Sequence, residues 1–113
     1  MIDVDELTHH LRDFAEARDW EKFHSPKNLV MAMSVEMAEL MEHFEWMTEQ
    51  QSLNLDAKTR EEVGLEMADV MIYLVRMADR CSIDLDEAVQ CKLLINAEKY
   101  PSIEVGRDFK EER

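Results

Sequence analysis

Glycine and proline are scarce, with two of each in 113 residues. A many-stranded β protein needs those residues at its turns, so their scarcity disfavours a sheet fold. Cysteine is equally rare. Cys81 and Cys91 are the only two, and with no signal-peptide pattern they are expected to be reduced thiols in a cytoplasmic protein. No stretch reaches the roughly 18 uncharged apolar residues of a spanning helix, so no membrane segment is expected. Positive charge is in deficit: 13 Lys and Arg stand against 26 Asp and Glu, for a net charge of −13. Polymeric nucleic acid is held by basic surfaces that neutralise its backbone, and no such partner is expected here. A phosphate ligand bridged by a cation is compatible with the same charge.

What is present is enough apolar material for a core, at 46 % of residues, despite 35 % charged. Length predicts one domain, residues 1–101, with a tail over 102–113 that carries Gly106 and is expected to fray. Leu7, Leu11, Phe14 and Ala15 recur at helical spacing and predict a first helix over about 4–18, capped by Asp3 or Asp5. An aromatic loop, Asp19 to Pro26, follows. Asn28 is the expected cap of a second helix reaching Trp46 or Met47, and the polar stretch Thr48–Ala57 reads as a connection. A third helix is expected over Lys58–Cys81. A fourth starts at Asp84 or Asp86 and ends before Pro101. The fold class is therefore all-α, a four-helix bundle. On the third helix Val63, Met67, Val70, Leu74 and Met77, spaced 4, 3, 4, 3, form the expected seam.

Two pairs of carboxylates interrupt apolar surroundings. Glu36-x-x-Glu39 lies within Leu29–Met41, and Glu66-x-x-Asp69 within Val63–Val75. The spacing alone says little, since about 6 such pairs arise by chance in so acidic a chain. Their neighbours carry the information. Like charges three residues apart share a helix face and repel by about 0.2–0.5 kcal/mol even in water, and partial burial adds to that. A hard cation between the two helices would relieve both costs, and Mg²⁺ prefers such oxygen ligands. Solvated faces, or ion pairs to Arg76, Arg80 or Lys58, are the alternative. A di-iron bundle would need Glu-x-x-His on facing central helices. Glu6-x-x-His9 and Glu21-x-x-His24 have the spacing but fall in the first helix and the loop.

Glu62, Glu66, Asp69 and Tyr73 follow one another on the third helix, and Glu36, Glu39, His43 and Trp46 on the second. Lys92, Asn96 and Lys99 do so on the fourth. Carboxylates, cations, an amide and nearby aromatics would together serve a metal, a polyphosphate and a stacked base. Trp46 and Tyr73 at such positions are more often packing at the bundle edge than base platforms.

The run Arg18-Asp19-Trp20-Glu21-Lys22-Phe23-His24-Ser25-Pro26-Lys27-Asn28-Leu29 resembles the start of the dCTP pyrophosphatases, within the MazG-like, all-α nucleoside triphosphate pyrophosphohydrolase superfamily. Glu36-x-x-Glu39, Glu66-x-x-Asp69-Val70-x-Ile72-Tyr73-Leu74 and Lys92-x-x-x-Asn96-x-x-Lys99-Tyr100-Pro101 continue the resemblance in order, over roughly residues 7–101. The resemblance implies Mg²⁺-dependent hydrolysis of a dNTP, dCTP-like, to its monophosphate and pyrophosphate. It implies that Glu36, Glu39, Glu66 and Asp69 hold Mg²⁺ and carry catalysis. Lys92, Asn96, Lys99 and Tyr100 would hold phosphates or sugar, and Trp20, His24, Asn28, Trp46 and Tyr73 would line the base and sugar pocket. The chain departs from the family at Val35, where many members have Glu, and at Leu11, where the dCTP enzymes have His.

The rival expectation is a non-catalytic acidic helical module that dimerises or binds a protein. It leaves the Lys92, Asn96, Lys99 face and the aromatic loop without a role. Either way, apolar residues lie on two sides of the central helices: Leu29, Met33, Leu40 and Phe44 against Val30, Met37 and Met41, with Leu65, Ile72 and Val75 off the main seam. A helix apolar on two faces must meet partners on both. A homo-oligomer is expected, and the resemblance implies a dimer of dimers, in which Trp20 or His24 could reach a neighbour's site.

Overall fold

The computed structural model describes residues 1–102. The expected tail lies outside the described residues from 103 onward. Five α-helices run in order: α1 Val4–Ala17, α2 Pro26–Glu42, α3 Glu49–Leu53, α4 Ala57–Arg80 and α5 Leu85–Lys99, with one 3₁₀ turn at Glu21–Phe23. There is no strand among the described residues, and none of their helices is long and apolar enough to cross a membrane.

Each α-helix begins at a side-chain cap. Asp3, Ser25, Thr48, Asp56 and Asp84 accept the backbone N–H three residues ahead, at 2.8–3.1 Å. Each such cap satisfies an otherwise orphaned donor, worth about 1 kcal/mol. Ser25 starts α2, three residues before the expected Asn28, because Pro26 is preset for the first helical position where no N–H is needed. The helix ends at Glu42 rather than Trp46 or Met47; tight turns then carry the chain, with His43 donating to Leu40 and Phe44 to Met41. The expected connection 48–57 holds the short α3, nucleated by a capping box in which Thr48 and Gln51 exchange side-chain-to-backbone bonds at 2.9 and 3.1 Å.

The chain divides into two compact units, Met1–Ile83 and a second from Asp84 onward that contains α5. In the first unit α4 packs along α2 and against α1. Its core is Ala15, Leu29, Val63, Val75 and Ala78. The expected seam of α4 is only partly inside: Val63 is buried, but Met67 and Leu74 are exposed. Val75, placed off the seam by spacing, is core. The reason is that α4 has two neighbours on different sides, so its buried face shifts along its length instead of following one coiled-coil stripe. On α2 the two apolar sides separate. Leu29 is buried and Met33 and Leu40 are half-buried, as is Phe44 just past the helix, while Val30, Met37 and Met41 are exposed.

Candidate metal centre

Packing of α2 on α4 brings the first three carboxylates together. Glu36, Glu39 and Glu66 each offer an oxygen, and these oxygens lie within 4.8 Å of one another. Two turns of different helices thus point negative charge at a common space. Among the described residues no Lys, Arg or His forms an ion pair with any of the four acids. Lys58 forms no ion pair among the described residues, and the two arginines are committed elsewhere. Arg76 is taken up by Asp79 and Glu21, and Arg80 donates to the carbonyl of His24 at 3.0 Å.

The uncompensated charge is visible in proton affinity. The Glu36 carboxyl is pushed up from 4.5 to about 7, first by desolvation, then by the Glu39 charge and by hydrogen bonds that its protonated form makes with Asp69 and Glu39. Asp69 therefore joins the group through Glu36 rather than as a fourth member of the close cluster. Glu66 Oε2 is buried with no hydrogen-bond partner. Buried carboxylate oxygens are normally satisfied, and an orphan among like charges is a strong request for a cation. The donor set is all carboxylate oxygen, which suits a hard divalent ion of the Mg²⁺ kind and not a soft one.

The expected base-pocket residues divide into groups. Trp20 and His24 are together, ring centroids 5.9 Å apart, and Phe14 meets Trp20 edge-on at 5.7 Å. Asn28 braces this loop by donating from Nδ2 to the Phe23 carbonyl at 3.1 Å. His24 is half-buried, its Nδ1 accepting from Arg76 Nε at 3.1 Å. Burial, then Arg76 and Arg80, hold its pKa below the ordinary 6.5. Tyr73 is half-buried two turns along α4 from Glu66. Trp46 stands apart, 89 % exposed in the turn after α2. In the second unit Lys92 and Lys99 are exposed and Asn96 half-buried along α5; the Lys99 ammonium sits 5.3 Å from the Tyr100 ring centroid.

Sequence reading missed the ion-pair node that Asp79 and Arg12 build beside the buried Arg76, and treated Arg76 only as a possible partner for the acids. A signal existed: Arg76-x-x-Asp79 is an i, i+3 pair of opposite charge inside an apolar stretch.

The sequence model of the MazG-like family matches residues 31–111. The human protein dCTP pyrophosphatase 1 is 45 % identical over 92 residues, covering 80 % of this chain and 54 % of its own length. Its Bos taurus counterpart is 43 % identical over 91 residues, covering 79 % and 54 %. The chain thus spans about half the length of the curated relatives it matches. The crystal structure of a pyrophosphatase from Archaeoglobus fulgidus superposes with a TM-score of 0.81 at 40 % identity, covering 87 % of this chain and 92 % of that one.

Proposed function

The chain belongs to the MazG-like family, and from that premise we propose that it is a Mg²⁺-dependent nucleoside triphosphate pyrophosphohydrolase that converts a dNTP, with a dCTP-like base favoured, to dNMP and pyrophosphate. The observation that carries the reading is the convergence of Glu36, Glu39 and Glu66 with a buried, unpartnered oxygen on Glu66. The names of the dCTP pyrophosphatase relatives support the choice of substrate class. The family match runs across both compact units, which supports treating residues 1–101 as one functional domain.

In this reading Glu36, Glu39, Glu66 and Asp69 hold Mg²⁺. A bound ion would supply charge neutralisation for a triphosphate held by these carboxylates. One of the four carboxylates accepts the proton of the attacking water. Lys92 and Lys99 stabilise the leaving pyrophosphate, with Asn96 and Tyr100 at phosphate or sugar. Trp20 and His24, with Asn28 bracing their loop, and Trp46 and Tyr73 form the base and sugar contacts. A chain with net charge −13 repels a free triphosphate, so a metal-bridged substrate is physically expected.

We also place the protein in a homo-oligomer, a dimer of dimers. Its support is the exposure of Val30, Met37 and Met41 on one side of α2 and of Leu65, Met67 and Leu74 on more than one side of α4, apolar residues that a partner would cover.

The deciding experiment is incubation with a panel of dNTPs and Mg²⁺. Pyrophosphate as the product supports the reading. Orthophosphate alone indicates a phosphatase, and no product with any nucleotide favours the non-catalytic helical module.

A further inference from the structure

We propose that Arg76 is a positioning residue for the nucleotide pocket, acting through His24: it holds the imidazole with its ring hydrogen on Nε2, so that the aromatic loop offers the base one fixed hydrogen-bond donor beside the Trp20 face. The role in base binding rests on the nucleotide reading above. The relation between Arg76 and His24 does not.

Arg76 is 3 % exposed and is the one buried charged residue of the described core, yet it touches none of the carboxylates of the metal centre. Its three side-chain hydrogen bonds run to the loop and to Asp79. Nε meets His24 Nδ1 at 3.1 Å, Nη1 meets Asp79 Oδ2 at 3.2 Å, and Nη2 meets Glu21 Oε1 at 3.3 Å. Asp79 is in turn held by Arg12. A planar guanidinium anchored at three corners cannot pivot.

The bond to His24 has one possible sense. A guanidinium can only donate, so Nδ1 must present its lone pair. A neutral imidazole accepting at Nδ1 carries its hydrogen at Nε2. No group among the described residues accepts from Nε2, which leaves that N–H for a ligand. The charged groups facing His24 are Arg76 and Arg80 from α4 and Glu21 from its own turn. Two cations against one anion, together with burial, keep the ring uncharged.

The loop around this donor is pinned as well. Arg80 Nε donates to the His24 carbonyl at 3.0 Å, Asn28 Nδ2 to the Phe23 carbonyl at 3.1 Å, and the His24 N–H to the Glu21 carbonyl at 3.1 Å. Trp20 is 41 % exposed and flanked by Phe14 and His24. A neutral N–H beside the part-exposed Trp20 indole, which also carries the Arg18 guanidinium 5.9 Å from its ring centroid, suits a base edge with carbonyl or ring-nitrogen acceptors. A doubly protonated imidazolium would instead attract any anion. Arg76 thereby favours a donor that reads a base over a charge that reads phosphate.

Long-range ¹H–¹⁵N NMR on the full chain reads both the tautomer and the titration midpoint of His24. The expected wild-type result is the Nε2–H form with a midpoint below the ordinary histidine value. Arg76→Gln should raise the midpoint, mix the tautomers and raise KM for dCTP roughly tenfold, with kcat within about twofold. Asp79 keeps Arg12 as a partner in that variant. Should it still fail to fold, His24 variants decide the question. His24→Ala should raise KM roughly tenfold, and His24→Gln, whose amide carries an acceptor and a donor in the places of the two ring nitrogens, should recover most of that loss. An Nδ1–H form, an ordinary midpoint in the wild type, or variants that lower the melting temperature while leaving KM unmoved would overturn the proposal. If the wild type hydrolyses no dNTP, the hydrolase reading fails, while the tautomer measurement still decides whether Arg76 sets His24.

Discussion

Arg12 and Asp79 form a two-point ion pair that fastens α1 to the far end of α4. Arg12 Nη2 meets Oδ1 at 2.6 Å and Nε meets Oδ2 at 3.1 Å, across 67 residues of sequence. Asp79 also serves Arg76, so one half-buried carboxylate compensates two guanidiniums. Asp79→Ala should therefore destabilise the fold by about 3 kcal/mol, the low end for breaking a buried pair because Arg12 keeps partial contact with water. Urea unfolding measures this, and a loss below about 0.5 kcal/mol would reduce the pair to an ordinary surface contact. Its bond to Arg12 holds the Asp79 carboxyl below 3.8. A depressed carboxylate contributes stability above its unfolded pKa, and that contribution fades as pH falls below about 4.

Glu39→Gln keeps the size of the side chain and removes one charge from the cluster. Loss of a metal contact should cost several kcal/mol of transition-state stabilisation, a decrease on the order of a hundredfold or more in kcat/KM. The metal-free melting temperature should hold or rise, because the charge next to Glu36 is gone. Pyrophosphate release and a thermal melt are the measurements. Near-normal turnover would remove Glu39 from the metal site.

Metal binding should release protons. Glu36 titrates near 7 in the metal-free chain, and only its ionised form binds a cation well. Mg²⁺ affinity should increase as pH rises and level off above about 7. Calorimetry at pH 6 in two buffers of different ionisation enthalpy counts the protons directly. The same shift has the opposite consequence for the metal-free fold. A carboxyl whose folded pKa is raised from 4.5 to about 7 favours the folded state at low pH. That contribution is lost as pH rises through this window, and Mg²⁺ should restore stability at pH 8.

Trp46 is 89 % exposed, so Trp46→Ala should change stability by no more than about 0.5 kcal/mol. If the ring stacks on a base, its loss should raise KM roughly 5- to 150-fold with kcat little changed. A drop in melting temperature with KM constant would instead assign Trp46 to a subunit interface or to packing.

Sedimentation at micromolar concentration should give a mass that is a multiple of 13.3 kDa. Met41→Glu on α2 or Leu65→Glu on α4 places a charge in the exposed stripes and should shift the protein toward the monomer. A fully active species of monomer mass would remove the oligomer from the proposal.

The sequence by itself determined the helices and the chemistry of the residues they carry. Few turn-formers and unbroken 3.6-residue patterns leave little but an all-α chain, and acids embedded in Leu, Val and Met are out of place in any such fold. Even some misplaced boundaries were written locally: Ser25 with Pro26 signals the start of α2, and Thr48-x-x-Gln51 signals α3. Three things needed the tertiary structure. Which face of α4 is buried depends on where α1 and α2 meet it, and Met67 and Val75 exchange their expected positions as a result. Convergence of Glu36, Glu39 and Glu66 depends on the register of α2 against α4, a distance that no spacing within one helix encodes. The burial of Arg76 depends on the Glu21–His24 loop, more than 50 residues away in sequence, meeting a guanidinium that Asp79 on its own helix already holds. A guanidinium is tolerated inside only when several acceptors are assembled around it at once, and that assembly is a property of packing.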